Sequence, residues 1–244
     1  MLKQLTQRCF YLPYEKTGDR PSLGFVRGDR LCLQIDAGNS PAHFHRMGDA
    51  LSAAGLPAPD LIALTHAHWD HTYGACAADC PVIASEATQA DLRRMAGWTW
   101  TAEAMARRVE NGEDIAFCTE AIAVEYAELD KIRVRTADLV YAERLTVDLG
   151  GVSAVITRTT NSHADDCSLI FIPEERVVFL GDICYEDLHH KPPCCHRSRL
   201  AALRAALSAL PFEWGVPGHQ MPLTRQEVFD ELDELENDDI LQLP

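Results

Sequence analysis

Four side chains of types that commonly bind metal ions fall within six consecutive positions, directly after a short apolar segment. The segment is 61–64, and after it come His66, His68, Asp70 and His71 in the order H-x-H-x-D-H. The apolar run predicts a short buried strand, so the polar side chains would emerge at the edge of a sheet. Imidazole and carboxylate groups suit zinc or another borderline divalent metal. Four groups within six positions cannot all bind one ion. The motif therefore indicates either two adjacent ions, or one ion whose ligands are contacted by the remaining groups.

Four further features follow a fixed order along the chain. They are an Asp-x-Gly turn at Asp36, His163 after a strand, Asp182 after a buried strand and a glycine, and His219 near the C-terminus. Together with the histidine motif, this ordered set resembles the metallo-β-lactamase superfamily. The resemblance implies an α/β fold built as a four-layer αββα sandwich, with the whole chain, 1–244, forming one domain.

The resemblance also implies two metal sites joined by a bridging carboxylate. The first would comprise His66, His68 and His163, the second Asp70, His71 and His219, and Asp182 would bridge them. Two divalent ions, zinc as first choice and iron or manganese as alternatives, could share a hydroxide and direct it at an electrophile. Asp70 could act as a catalytic residue by orienting that water, and Asp36 could fix the tautomer of a histidine ligand.

Two features after Asp182 are less specific. Tyr185 is a candidate catalytic residue, either an oxyanion donor or a leaving-group acid, with packing in a loop as the equal alternative. Cys194, Cys195 and His196 form another group of potential ligands. Because adjacent cysteines rarely chelate one ion well and no matching pair lies nearby, we interpret this loop as a wall of the cleft rather than a structural zinc site. The role of its cysteines and histidine stays open.

Charge and cysteine content narrow the partners. The chain has 37 acidic and 22 basic residues and a formal net charge of −15, which repels a phosphate backbone and argues against nucleic acid. No stretch is long enough to span a bilayer, and the N-terminus lacks an apolar signal core. The nine cysteines then indicate reduced thiols. We expect a cytoplasmic protein with a small-molecule substrate and no membrane contact. The sequence does not determine the oligomeric state.

A helix is predicted directly after the Asp-x-Gly turn. Ser40 would cap it, a proline takes its first position and Gly55 ends it, so the helix covers 41–54. Its apolar residues recur at helical spacing and would face a sheet. This assignment places His43 and His45 on the side exposed to water.

A segment around 86–142 interrupts the alternation of strands and ligands. It predicts a helical insertion with a helix from Thr101 to Asn111. In proteins of the superfamily that the chain resembles, such insertions commonly form a cap beside the metal cleft, and an ordinary structural insertion is the alternative. Trp98 and Trp100, with the arginines near them, could form a substrate floor or could pack as anchors.

Motif and composition leave three functions open. The first is a metal-dependent hydrolase that uses a metal-bound hydroxide on a small ester, lactone, thioester or amide. The second is a mononuclear iron sulfur dioxygenase of the persulfide-oxidising type, which would use only His66, His163 and Asp182. Retention of the other ligands counts against it. The third is a metal-binding protein without catalysis, which the open position beside Asp70 disfavours.

Overall fold

Two β-sheets pack face to face, and helices cover the outer surface of each. The computed structural model describes residues 1–237 and 240–244. These residues form an α/β fold with four layers in the order αββα, as the resemblance implies. Within them, no helix combines the length and the apolar character that a membrane crossing requires.

The first sheet has seven strands that lie side by side in chain order. They are β1 (Lys3–Gln4), β2 (Cys9–Leu12), β3 (Leu23–Arg27), β4 (Cys32–Ile35), β5 (Leu61–Ala63), β6 (Val82–Ser85) and β7 (Leu139–Tyr141). Pairing is antiparallel from β1 to β4 and parallel from β4 to β7. Because β4 and β5 are parallel, Asp36 and His66, which follow them, lie at the same edge of the sheet.

The remaining strands form a second sheet and a small separate pair. In chain order they are β8 (Arg144–Asp148), β9 (Ser153–Arg158), β10 (Ser168–Ile172), β11 (Val177–Gly181), β12 (Cys194–His196), β13 (Trp214–Pro217), β14 (Leu223–Thr224) and β15 (Leu241–Leu243). The second sheet has the order β14-β13-β11-β10-β9-β8, and β12 pairs with β15. The parallel neighbours β11 and β13 lead into Asp182 and His219, while His163 lies between β9 and β10.

Apolar clusters hold the layers together. The helices are α1 (Pro41–Ala53), α2 (Trp69–Thr72), α3 (Glu86–Ala96), α4 (Ala102–Asn111), α5 (Ala116–Glu125), α6 (Arg197–Ser208) and α7 (Arg225–Asn237). Leu33 and Ile83 of the first sheet meet Ile170 and Phe179 of the second in the central core. Separate clusters pack α1 and α3 to α5 on the outside of the first sheet, and α6 and α7 on the outside of the second.

Helix α1 follows the prediction in its bounds but differs in one buried residue. The Ser40 hydroxyl caps it by accepting a hydrogen bond from the His43 amide at 3.1 Å. The prediction that His43 faces water is wrong, because this residue is only 1 % exposed. The buried stripe runs through His43, Met47 and Leu51 at intervals of four residues. His45 is exposed, as expected.

The segment 86–142 contains three helices and then returns to the sheet. Its middle helix, α4, matches the predicted one. Thr101 caps this helix by accepting a hydrogen bond from the Ala104 amide at 3.2 Å, and Gly112 ends it in the left-handed conformation. The segment finishes in β7, the edge strand of the first sheet.

Candidate metal centre

Loops at one edge of the sandwich bring together all seven residues predicted as ligands. They form two groups, and within each group the ligand atoms lie no more than 4.8 Å from one another. The first group is His66, His68 and His163; the second is Asp70, His71, Asp182 and His219. The spacing of the central motif follows from local structure. His66 and His68 lie in the extended segment after β5, and α2 then turns the chain so that Asp70 and His71 face the second group.

Asp182 lies between the two groups and is 4 % exposed. Its Oδ2 atom lies 3.3 Å from Nε2 of His71 and 3.3 Å from Nε2 of His219. The same oxygen is 3.6 Å from Nε2 of His163, which belongs to the first group. One carboxylate oxygen therefore contacts imidazole nitrogens from both groups.

Several buried polar atoms at this point have no hydrogen-bond partner among the described residues. They include Nε2 of His66, Nε2 of His71 and Oδ1 of Asp182. Buried polar groups are normally paired, and leaving one unpaired costs about 1–3 kcal/mol. Their lone pairs are the donors that a divalent cation uses, and a set of imidazoles and carboxylates is typical of zinc and similar ions. The residues present therefore fit a metal centre.

The electrostatics of the first group and of Asp182 also suit a cation. Burial and the neighbouring imidazoles lower the pKa of His66 and His68 well below the usual range, so both rings are neutral and can act as ligands. Burial alone would raise the pKa of Asp182, but His71 and His219 hold it well below its usual range. Asp182 is therefore an ionised carboxylate among histidines.

Outer contacts orient three of the histidines. Nδ1 of His71 lies 2.7 Å from Oδ2 of Asp36, the residue predicted for such a contact. Nδ1 of His163 lies 3.1 Å from the carbonyl oxygen of Glu186. Nδ1 of His219 lies 3.4 Å from Oδ1 of Asp19. Contacts of this kind fix which ring nitrogen faces the metal.

Sequence reasoning missed Asp19 and Asp166. Asp19 belongs to a turn with positive φ at Gly18 and at Asp19 itself, and only the fold brings this turn to His219. Asp166 is buried and accepts a hydrogen bond from the amide of Ala67 at 2.7 Å, which holds the backbone of the histidine motif. Burial raises the pKa of Asp166 to about 6. A Gly-Asp pair is a turn signal that could have drawn attention to Asp19, but it names no partner.

Gly218 is required by close packing. A Cβ atom at this position would lie 2.1 Å from Oδ1 of Asp182 and 3.0 Å from Cε1 of His71. Glycine before His219 therefore lets this loop approach Asp182 and His71 closely.

Tyr185 lies at the wall of the cleft beside these ligands. Its ring centre is 6.2 Å from those of both His163 and His219. The hydroxyl is buried and has no hydrogen-bond partner among the described residues. Burial, with the nearby charge of Asp182, raises the pKa of Tyr185, so its hydroxyl remains a potential donor.

Two adjoining cavities of about 340 and 240 Å³ open beside the ligands. Both are lined by His68, Trp69, Cys118, His163 and His189. Acidic side chains around the two cavities also include Asp19, Asp91, Glu113, Asp114, Asp165, Glu186 and Asp187. The two arginines that line the larger cavity are each paired with an acid, Arg94 with Asp91 at 2.8 Å and Arg199 with Asp165. The walls are therefore acidic.

The two tryptophans of the segment 86–142 have different positions. Trp98 lines the larger cavity, whereas Trp100 is buried in the cluster beneath the helices. The guanidinium carbon of Arg108 lies 4.4 Å from the ring centre of Trp98 and 4.8 Å from that of Trp100. Arg108 therefore packs against both indoles.

The comparison with protein families decides the classification. A family model described as the metallo-beta-lactamase superfamily matches residues 18–219. The chain belongs to this superfamily. The resemblance and the fold class predicted from the sequence are thereby confirmed. Members of the metallo-beta-lactamase superfamily are mostly metal-dependent hydrolases that bind divalent metals.

Solved structures that share the fold include proteins that are distant from this chain in sequence. A metallo-beta-lactamase from Pontibacter korlensis is 16% identical, with a TM-score of 0.64 over 98% of this chain and 99% of that one. A metallo-beta-lactamase superfamily protein from Sulfolobus tokodaii is 15% identical, with a TM-score of 0.61 over 98% and 90%. The sec-alkylsulfatase Pisa1 from Pseudomonas sp. is 15% identical, with a TM-score of 0.66 over 96% of this chain and 41% of that one. No curated protein matches the chain.

Proposed function

We propose that the chain is a dinuclear metallohydrolase that cleaves a small ester, lactone, thioester or amide. The observation that carries this proposal is the position of Asp182, whose Oδ2 atom contacts His163 in the first group and His71 and His219 in the second. A carboxylate placed in this way can neutralise part of the charge of two ions at once. The first group would hold one ion, the second group the other, and zinc suits both sets of ligands.

Two bound divalent ions would supply a hydroxide nucleophile near neutral pH and would stabilise the negative charge that develops on the substrate oxygen. Within the protein, Asp70 would orient the attacking water and accept its proton. Asp70 is 4 % exposed, and its Oδ2 atom lies 3.0 Å from Nε2 of His219. The hydroxyl of Tyr185, which has no hydrogen-bond partner among the described residues, would donate a hydrogen bond to the oxyanion or a proton to the leaving group.

The walls of the cleft favour a neutral or cationic substrate. The two arginines that line the larger cavity are already paired with acids, whereas Glu113 and Asp114 form no ion pair among the described residues. An anionic group at this wall would meet like charge and lose affinity. We therefore propose that the part of the substrate away from the scissile bond is uncharged or carries an amine.

The segment 86–142 would cap the substrate cleft. Residues from α3, from the turn after it, from the loop before α5 and from the start of α5 line the larger cavity, including Arg94, Trp98, Asp114 and Cys118. This arrangement supports the cap interpretation over an insertion that serves only packing. A single domain over 1–244 and a cytoplasmic location are kept as predictions with this proposal.

The alternatives from the sequence are less well supported. An iron dioxygenase that uses His66, His163 and Asp182 would leave Asp70 and His219 with no role, although their ligand atoms lie together with that of Asp182. A metal-binding protein without catalysis would not need the cavities beside the ligands.

Metal analysis followed by a panel of hydrolysable compounds tests the proposal. The panel consists of esters, lactones, thioesters and amides, each prepared with a cationic, a neutral and an anionic substituent. We expect hydrolysis that a chelator abolishes and added zinc restores, with cationic compounds preferred over anionic ones by about fivefold or more. Hydrolysis that favours the anionic compounds would overturn only the proposal that the substrate is neutral or cationic. Oxygen consumption with a persulfide and no hydrolysis would overturn the hydrolase.

A further inference from the structure

We propose that Asp187, Cys194 and His196 bind a third divalent ion, zinc by the chemistry of the ligands, in the wall of the cleft. Their ligand atoms lie within 4.8 Å of one another, the same limit that the two groups of the main centre meet. A thiolate, an imidazole and a carboxylate are all zinc ligands. This site shares no residue with the main centre and does not depend on the proposed hydrolysis.

Alternation along β12 explains how two of the ligands come to lie together. Successive side chains of a strand point to opposite faces, so Cys194 and His196 share one face and Cys195 takes the other. Cys195 packs in the apolar cluster with Leu200 and Leu203 of α6. A site that required both adjacent cysteines on one ion was disfavoured by the sequence. The fold uses one of them and supplies Asp187 instead of the second.

Hydrogen bonds hold Asp187 in place opposite the strand. The amide of Asp187 donates to the carbonyl of Cys194 at 2.8 Å, and the amide of Cys194 donates back at 3.2 Å. The Oδ1 atom of Asp187 accepts hydrogen bonds from the amides of His189 and His190 at 2.8 and 3.1 Å. These contacts fix the carboxylate and leave its Oδ2 atom available to a cation. Pairing of β12 with β15 fixes the strand itself.

The surroundings of the three residues leave one side of the site open. Cys194 is fully buried, whereas Asp187 and His196 are half-buried and line the larger cavity together with His189. Three protein ligands leave a fourth position, which a water molecule would take. Binding would release the thiol proton of Cys194 to solvent as the sulfur becomes a thiolate ligand. The ion would tie β12 to the loop that carries Tyr185 and His189.

Cobalt substitution provides a test that the main centre cannot obscure. The seven residues of the main centre offer only nitrogen and oxygen donors, so a thiolate-to-cobalt charge-transfer band in the near ultraviolet would come from a cysteine ligand. We expect the protein loaded with Co²⁺ to show this band and to bind three ions per chain. Cys194→Ser should remove the band and one ion. Cys195→Ser, the matched control in the same strand, should keep both.

Two further variants probe the site without changing its cysteine. Asp187→Asn and His196→Gln change half-buried residues and should weaken binding of the same ion, so the test stands even where Cys194→Ser folds poorly. Far-ultraviolet circular dichroism checks the fold of each variant. A protein that saturates without the band would overturn the site. A band that survives Cys194→Ser, or that is lost in Cys118→Ser instead, would also overturn it. If the cobalt-loaded protein shows the band but binds fewer than three ions per chain, the result would count against the dinuclear proposal only.

Discussion

Oδ2 of Asp36 lies 2.7 Å from Nδ1 of His71, and both residues are almost completely buried. The carboxylate also accepts hydrogen bonds from the amide and the hydroxyl of Thr65, so its position is fixed from two sides. With its Nδ1 proton directed at Asp36, His71 presents Nε2 towards Asp70 and Asp182. The turn after β4 therefore sets the tautomer of His71, a proposed ligand that lies in α2.

Replacing Asp36 by asparagine should weaken metal binding by about 10–100-fold, the range typical of a lost carboxylate partner of a histidine ligand. The amide keeps one oxygen acceptor but lacks the negative charge that makes the His71 ring a better electron donor to a metal. Competition with a calibrated chelator measures the effect. Asp60→Asn is the matched control, because Asp60 precedes β5 at the end away from the proposed ligands. Among the described residues, its side chain accepts a hydrogen bond only from the Cys32 amide. Equal affinities for both variants would contradict the assigned role.

Removing Asp182 should cost more metal than removing either cysteine of β12. Asp182→Ala takes away the carboxylate that contacts both groups, so both ions of the main centre should be lost. Cys194→Ala should lose at most the ion of the third site, and Cys195→Ala none, because its side chain packs in the core. Elemental analysis after desalting gives the counts. A Cys195→Ala protein that loses as much metal as Asp182→Ala would show that the assignment of ligands is wrong.

Asp70→Asn should impair turnover more than substrate binding. Asparagine keeps the size of the side chain but cannot accept a proton from the attacking water or provide an anionic ligand. We expect kcat to fall by about 10²–10⁴ while KM changes little, as for the loss of a positioned acid–base group. The comparison requires a substrate from the panel and equal metal content in both proteins. An unimpaired kcat would move the assignment towards the iron dioxygenase.

The buried imidazole of His43 should make stability depend on pH. Burial, with the charges of Arg20 and Arg46, lowers the pKa of His43 to about 3, whereas the unfolded chain binds the same proton near its ordinary pKa of about 6.5. The unfolded chain therefore takes up a proton at His43 before the folded chain does. As a result, the free energy of unfolding is unaffected by His43 above about pH 6.5 and decreases progressively as the pH falls towards 3. Denaturant unfolding of the metal-saturated protein and of His43→Gln measures it. The variant should lose less stability across this range; identical profiles would contradict the assignment.

The fold and the clustering of the seven predicted side chains could be read from the sequence because their signals are local and ordered along the chain. The histidine motif follows β5 within a few residues, and each later ligand follows a strand or precedes the next one. Residues brought together only by distant packing were not predictable. Asp19 contacts His219, which is far from it along the chain. Asp187 pairs with Cys194 because the loop between them folds back, and no periodic sequence pattern predicts that pairing.

In helix α1 the buried face was harder to predict from the sequence than the ends of the helix. Its start, its cap and its end were readable from Ser40 and Gly55, yet His43 was placed on the wrong face. A polar residue in the first turn is expected to face water unless tertiary packing overrides that preference. Here the stripe of Met47 and Leu51 continues to His43, and the imidazole is buried in spite of its polarity.

The central claim is that two ions lie on either side of Asp182, and anomalous diffraction from crystals of the zinc-loaded protein tests it most directly. We predict two peaks in the main centre. One would be bound by the three histidines His66, His68 and His163, the other by Asp70, His71 and His219, with Asp182 contacting both. A single peak held only by His66, His163 and Asp182, or no peak in zinc-saturated crystals, would contradict the dinuclear centre.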